Sequence, residues 1–247
     1  MMKLNNGTGK GAGQIKRVLT SFSLTLCFVA MLGCDFKGAT ELAKMGIETG
    51  QTLTAYYESL SQNTNDALEM QMAWAALLEH PAANGESSDD EDPDVSPNKI
   101  KRAQERIKSL NNRIQMARQI TAMYTALHDY SSYDSGARLG AAADDLAGTL
   151  SSLIPIPGAA TAATFAGKLI QDLKNINKYN DIKKKIQVGM ELVKELQKLY
   201  DSESTAYTLI AQDNISTMTA LGKALVNREM VLSWQLLDRV PAAFGLK

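Results

Sequence analysis

From Thr40 to His80 the chain repeats with a period of seven residues. Leu42, Thr49, Tyr56, Asn63, Met70 and Leu77 form one track. Gly46, Leu53, Leu60, Ala67 and Trp74 form a second track four residues on. Alternating spacings of three and four keep both tracks on one side of an α-helix. The pattern predicts a single helix on the order of 60 Å long, packed along a bundle or coiled-coil seam. Asn63 on that seam reads as a residue at a solvated edge, the alternative being a residue that fixes register. Pro81 ends the helix.

Residues 82 to 98 break the pattern. Glu86, Asp89, Asp90, Glu91, Asp92 and Asp94 crowd among Ala, Asn, Gly, Ser and Pro. Breakers and self-repelling charge predict a flexible acidic loop. Its carboxylates lack the alternating spacing, central Gly and closing Glu of an EF-hand loop. Ser96-Pro97-Asn98 then opens a second helix. Ile100, Ile107, Ile114, Thr121 and His128 make one of its tracks, and Ala103, Leu110, Ala117, Tyr124 and Ser131 the other. Lys99, Lys101, Arg102, Arg106 and Lys108 are expected on its outward faces.

Ser131 to Gly136 holds six consecutive weak helix formers, which predicts a reversal of the chain in preference to a kink. Helix resumes through Leu139 and Leu146. Leu146 to Gly167 is 22 residues without a charge. Its length suits a membrane span, but small residues dominate it and Pro155-Ile156-Pro157-Gly158 sits in its middle. It reads as an uncharged helical hairpin packed on a bundle, in preference to a membrane-contacting hairpin. After it, Ile182, Ile186, Gly189, Val193, Leu196 and Tyr200 predict a further helix. Lys183-Lys184-Lys185 is expected on its solvated face. Asp201-Ser202-Glu203-Ser204 reads as a turn and N-cap. A last helix carries Ala211, Ile215, Met218, Leu225, Leu232 and Leu236 and stops before Pro241. The expected fold is therefore all-α: an elongated up–down bundle of four to five long helices with coiled-coil-like seams, forming one domain over residues 34 to 247.

The first 34 residues carry a different signal. Lys3, Lys10, Lys16 and Arg17 are the only charges up to Gly33, and Val18 to Gly33 is an uncharged, largely apolar run of 16 residues. Basic, then apolar, then small is the layout of a secretory signal peptide. The ending Met31-Leu32-Gly33-Cys34 resembles the lipobox of bacterial lipoprotein precursors, matching it at Gly33 and Cys34. The resemblance covers residues 1 to 34 and implies nothing about the fold beyond them. It implies that residues 1 to 33 are removed and that Cys34 becomes the first residue, bearing a thioether-linked diacylglycerol and an N-acyl chain. Two or more acyl chains give stable membrane anchoring. Asp35 after the cysteine favours retention at the periplasmic face of the inner membrane in enterobacterial relatives of such precursors, the alternative being the outer membrane.

Composition narrows the function. The formal charge of −1 includes four positive groups from the first 33 residues, so the remainder carries −5. A nucleic-acid partner is disfavoured on that charge. Cys27 leaves with the signal and Cys34 is acylated, so no cysteine remains for a disulfide or a thiolate metal site.

Candidate chemistry is thin. His80 and His128 are the only histidines. Neither has the Glu three residues earlier that a helical di-iron site needs, since Leu77 and Thr125 stand there. Gly7 to Gly13 lacks the phosphate-loop spacing, and Leu169 after Gly167-Lys168 stands where Ser or Thr is required. His128 beside Asp129 at a heptad position reads as a packing residue. Asp144 and Asp145 diverge by about 100° on a helix and do not form a carboxylate pair. No catalytic residue, metal site or cofactor is expected. The function expected from the sequence is a lipid-anchored, non-enzymatic scaffold or partner-binding adaptor of the envelope. The alternative is a membrane-active, pore-forming or remodelling protein using residues 146 to 167.

Overall fold

A computed structural model describes residues 36–79, 96–132, 136–157, 159, 167–179 and 181–227. They form an all-α bundle with no strand among the described residues. Three helices are long: α1 (Phe36–Glu79), α2 (Pro97–Ser132) and α5 (Ile182–Asn227). Two are short: α3 (Gly136–Ser151) and α4 (Gly167–Lys174), the latter followed by a 3-10 turn at Ile176–Lys178. The chain divides into two compact units, and α1, α2 and α5 contribute to both. The first takes residues up to 51, 118–151 and 165–198; the second takes 52–117, 152–164 and the residues from 199 onward.

Local chemistry explains the helix starts. Pro97 occupies the first turn of α2, where its missing N–H costs nothing, and the Ser96 carbonyl accepts from the amides of Lys99 and Ile100 at 2.9 and 3.3 Å. Asp181 caps α5: its side chain accepts from the Lys183 amide at 2.9 Å.

Direction follows from contacts in the second unit. Tyr57 meets Tyr207, and Thr64 meets Asn214, so α1 and α5 run parallel. Arg113 meets Glu203, and Arg106 meets Asp213, so α2 runs against α5. Residues 154 and 155 return to hydrogen-bond with Ser109, Asn112 and Arg113. α2 ends at Ser132 and α3 begins at Gly136, so helix is interrupted within the expected run 131–136, whose residues 133–135 lie outside the described residues.

The seven-residue period is as expected, but its phase is shifted on α1 and α2. On α1 the track through Gly46, Leu60, Ala67 and Trp74 is buried. Its companion is Ala43, Gly50, Tyr57, Thr64 and Gln71, all buried; of the expected track Leu42 is buried, while Thr49, Tyr56, Asn63 and Met70 lie half-buried one residue away. On α2, Ala103, Leu110, Ala117 and Tyr124 are buried as expected, as is Ile114 of the other track, but Arg113, Ile120 and Leu127 join them; Ile107, Thr121 and His128 are only half-buried. The expected track therefore lies one residue early on α1 and one residue late on α2, where Gln71 and Arg113 hold buried seam positions without apolar character.

Three further expectations are corrected. Asp201 to Ser204 is not a turn: α5 runs through it unbroken. The Ser202 and Ser204 hydroxyls donate back to the carbonyls of Leu199 and Asp201 inside the helix, rather than capping a new one. Lys183 and Lys184 are exposed, but Lys185 is buried, with its ammonium 3.8 Å from the centre of the Tyr130 ring. That cation–π contact replaces the water the charge gives up. Finally, α3 stops at Ser151, and 153–156 is irregular chain, so the first arm of the expected hairpin is helical only up to 151. Residues 160–166 of its second arm lie outside the described residues, as does most of the acidic loop.

The first unit packs around close approaches. Tyr124 is fully buried, and its hydroxyl donates to the Gly189 carbonyl at 2.6 Å. A Cβ at Gly46 would lie 2.1 Å from the Tyr124 ring, so only glycine lets α1 approach it. Gly140 of α3 lets Asn177 approach in the same way, at 2.8 Å from a built Cβ. Burying Tyr124 contributes about 2–3 kcal/mol, and its hydrogen bond about 1 kcal/mol more.

Candidate functional site: a buried arginine–carboxylate–tyrosine network

The densest chemistry in the second unit is internal. Heptad spacing brings Tyr57 of α1, Arg113 of α2, and Glu203 and Tyr207 of α5 together. The side chains of Arg113 and Glu203 are fully buried. Arg113 Nε donates to Glu203 Oε2 at 3.0 Å, and Arg113 Nη2 donates to Glu203 Oε1. This is the fork-on-fork geometry that a guanidinium and a carboxylate share. Arg113 Nη1 donates to the Ile154 carbonyl at 3.0 Å. Tyr207 Oη donates to Glu203 Oε2 at 2.5 Å, and the Tyr57 and Tyr207 hydroxyls are 3.4 Å apart. A phenol has one hydrogen, so with Tyr207 donating to the carboxylate, Tyr57 donates to Tyr207.

Aromatic packing encloses the polar centre. Tyr56 meets the Tyr207 ring edge-on, with centroids 5.9 Å apart and planes at 87°. Tyr200 packs within 6.2 Å of Tyr56 and 5.9 Å of Tyr207. Burial pushes the Tyr57 and Tyr207 phenols well above the usual tyrosine range, and the Glu203 charge adds to this. Tyr56 is raised too, first by burial and then by its tyrosine neighbours. For Arg113, burial alone acts downward, but the Glu203 hydrogen bonds and charge outweigh it and leave the guanidinium more basic than usual. Arg113 is therefore a fixed cation and the phenols are neutral at physiological pH.

The same arginine holds a strap. Residues 152–157 leave α3 and lie along α2. Besides the bond from Arg113, the Ile154 amide donates to Asn112 Oδ1 at 3.0 Å, and Ser109 Oγ donates to the Pro155 carbonyl at 2.9 Å. Pro155 and Pro157 have no N–H to satisfy, which suits irregular chain against a packed helix. Ile156 is 2% exposed, so the middle of the expected hairpin is core rather than a tip.

The members of the network bond to one another and to the Ile154 carbonyl. Both Glu203 oxygens are occupied by Arg113 and Tyr207. The Tyr207 hydroxyl donates to a carboxylate that already accepts two bonds from Arg113. Taking two charges out of water costs several kcal/mol per ion, and the mutual bonds offset this only in good geometry. Such a cluster contributes little net stability but penalises any register that separates its members. It sets the relative positions of α1, α2, α5 and the strap.

Cys34, the residue expected to carry lipid, lies outside the described residues. His128 is half-buried on α2, with Nδ1 3.8 Å from Asp129 Oδ1. Asp144 and Asp145 are both exposed on α3. Among the described residues, no group of three or more His, Cys, Asp or Glu gathers to hold a metal, and no helix is long and apolar enough to cross a membrane. The sequence reading missed Arg113, Glu203, Tyr57 and Tyr207. A signal for them was present: Arg113 continues the heptad of Ile120 and Leu127, and Glu203 that of Gly189 and Leu196. Asp201 to Ser204 has the composition of a turn, which masks the continuity at Glu203. No family model, curated protein or solved structure matches this chain.

Proposed function

We propose that this chain is a lipid-anchored helical protein of a bacterial cell envelope, acting as a non-enzymatic scaffold or partner-binding adaptor. The observation that carries the anchor is Gly33-Cys34 at the end of a basic-then-apolar segment whose 16-residue run is short of the roughly 20 residues a membrane span needs. Acylation at Cys34 would tether the bundle two residues before α1 begins at Phe36. Asp35 favours the periplasmic face of the inner membrane. The scaffold half of the reading is supported by where the polar core residues go. Arg113, Glu203, Tyr207 and Tyr57 bond to one another and to the strap, fixing helix register, and the outward faces remain to meet a protein partner.

The test is Cys34→Ser. The variant is expected to lose incorporated fatty acid and to leave the alkaline-washed membrane pellet, or to accumulate at precursor mass with its signal uncleaved. A variant that stays in the pellet at the mature mass of the wild type would sink the lipid-anchor reading.

A further inference from the structure

The outward face of α5 differs from an ordinary solvated helix face. Asp201, Thr205, Thr208, Leu209, Gln212, Ile215, Ser216, Thr219 and Lys223 are all exposed. At 100° per residue they fall within about 60° of Gln212, opposite the buried Glu203, Ile210 and Leu221. Between Asp201 and Lys223, about 33 Å of helix, this stripe carries no charge. Asp213 lies off it and is bonded to Arg106. By contrast, the exposed residues of α2 include Lys99, Lys101, Arg102, Glu105, Lys108 and Arg118. Leu209 and Ile215 are 53% and 38% exposed, two of the few large apolar side chains left in water among the described residues.

The stripe is also symmetric about its centre. Counting outward from Gln212, Leu209 and Ile215 are three residues away on either side, Thr208 and Ser216 four, Thr205 and Thr219 seven, and Asp201 and Lys223 eleven. A two-fold interface requires such self-complementarity, because each residue must suit the one it meets in the second copy. From this we infer that α5 pairs antiparallel with α5 of a second copy of this chain, about a two-fold axis at Gln212. Thr205 then lies level with Thr219 of the second copy, Thr208 with Ser216, and Leu209 with Ile215. Asp201 of each copy lies level with Lys223 of the other, an attraction made twice. A parallel pair would instead set Asp201 against Asp201 and Lys223 against Lys223. Small hydroxyl side chains along the middle permit close approach of the two helices. The inference goes beyond the scaffold reading and does not depend on acylation.

The experiment uses the full chain in cells, crosslinked before lysis with a short, membrane-permeant bis-maleimide. Thr205→Cys and Thr219→Cys chains carrying different tags are co-expressed, and linked positions are mapped by mass spectrometry, which separates them from any product of Cys27 or Cys34. The expected product joins position 205 of one chain to position 219 of the other. Links from 205 to 205 are not expected, because those positions are about 21 Å apart along an antiparallel pair. Adding Asp201→Lys to both chains should weaken self-association about tenfold, and adding Lys223→Asp as well should restore it. Links joining 205 to 205 and 219 to 219, an absence of any 205–219 link, capture of a different protein in its place, or failure of the charge swap to restore the link would each overturn the inference.

Discussion

Replacing Glu203 by Gln removes one charge at nearly constant shape. Arg113 then remains as a cation buried to zero exposure, with only the Ile154 carbonyl and a neutral amide as partners. Breaking a buried ion pair from one side costs about 3–5 kcal/mol. In a chain of this size, 1 kcal/mol corresponds to about 2–4 °C in midpoint, so Glu203→Gln should lower the thermal midpoint by roughly 6–20 °C. The complementary variant replaces both partners, Arg113→Met with Glu203→Leu. It leaves no buried charge, but orphans the Tyr207 hydroxyl and the Ile154 carbonyl, each costing about 1–3 kcal/mol. The double variant should therefore lose an amount comparable with Glu203→Gln and be clearly more stable than the sum of the two single replacements. The assay is helical circular dichroism against temperature for wild type, both single apolar replacements, the double variant and Glu203→Gln. Additive losses, or a Glu203→Gln midpoint within 2 °C of wild type, would refute the claim that these charges are desolvated and coupled.

Gly46→Ala should destabilise the protein by about 3 kcal/mol or more, because its Cβ has no room beside the Tyr124 ring, whereas Gly148→Ala on an exposed helical face with nothing within 4 Å should stabilise by about 1 kcal/mol; chemical denaturation reads both. Stability should be flat from pH 6 to 9 and fall above about pH 10, since the raised phenols of Tyr57, Tyr124 and Tyr207 stay protonated in the folded chain and ionise once it unfolds, each adding about 1.4 kcal/mol per pH unit to the slope. Phenolate absorbance that rises fully before unfolding would contradict that burial. In lipid-bound protein with Trp234→Phe, doxyl-lipid quenching of Trp74 should be absent, because Trp74 lies about 57 Å along α1 from Phe36; strong quenching would mean that α1 lies against the bilayer.

Much of the fold was legible because seven-residue periodicity survives substitution. Leu60, Ala67, Trp74, Leu110 and Ala117 announced α1 and α2, and the helix-poor run at 131–136 announced the break between α2 and α3. Phase was harder. Gln71 and Arg113 occupy seam positions without apolar character, and their neighbours Met70 and Ile114 are more hydrophobic. The core chemistry was hidden for a related reason. Glu203 stands among Asp201, Ser202 and Ser204, a sequence with the composition of a turn. Only the facing guanidinium of Arg113, 90 residues earlier, makes a helix with a buried carboxylate the better solution. Lys185 was likewise assigned to solvent with Lys183 and Lys184, because the Tyr130 ring that receives it is distant in sequence. Local composition reports what a segment favours alone; these three residues are placed by partners on other helices.

The central claim is that this bundle is held at a membrane through Cys34, and the mass of its N-terminal peptide tests that most directly. Protein extracted with detergent from its own membranes should yield a peptide beginning at position 34, its cysteine carrying diacylglycerol through the sulfur and an acyl group on the amine. A peptide that continues upstream through Gly33, with an unmodified thiol at Cys34, would contradict it.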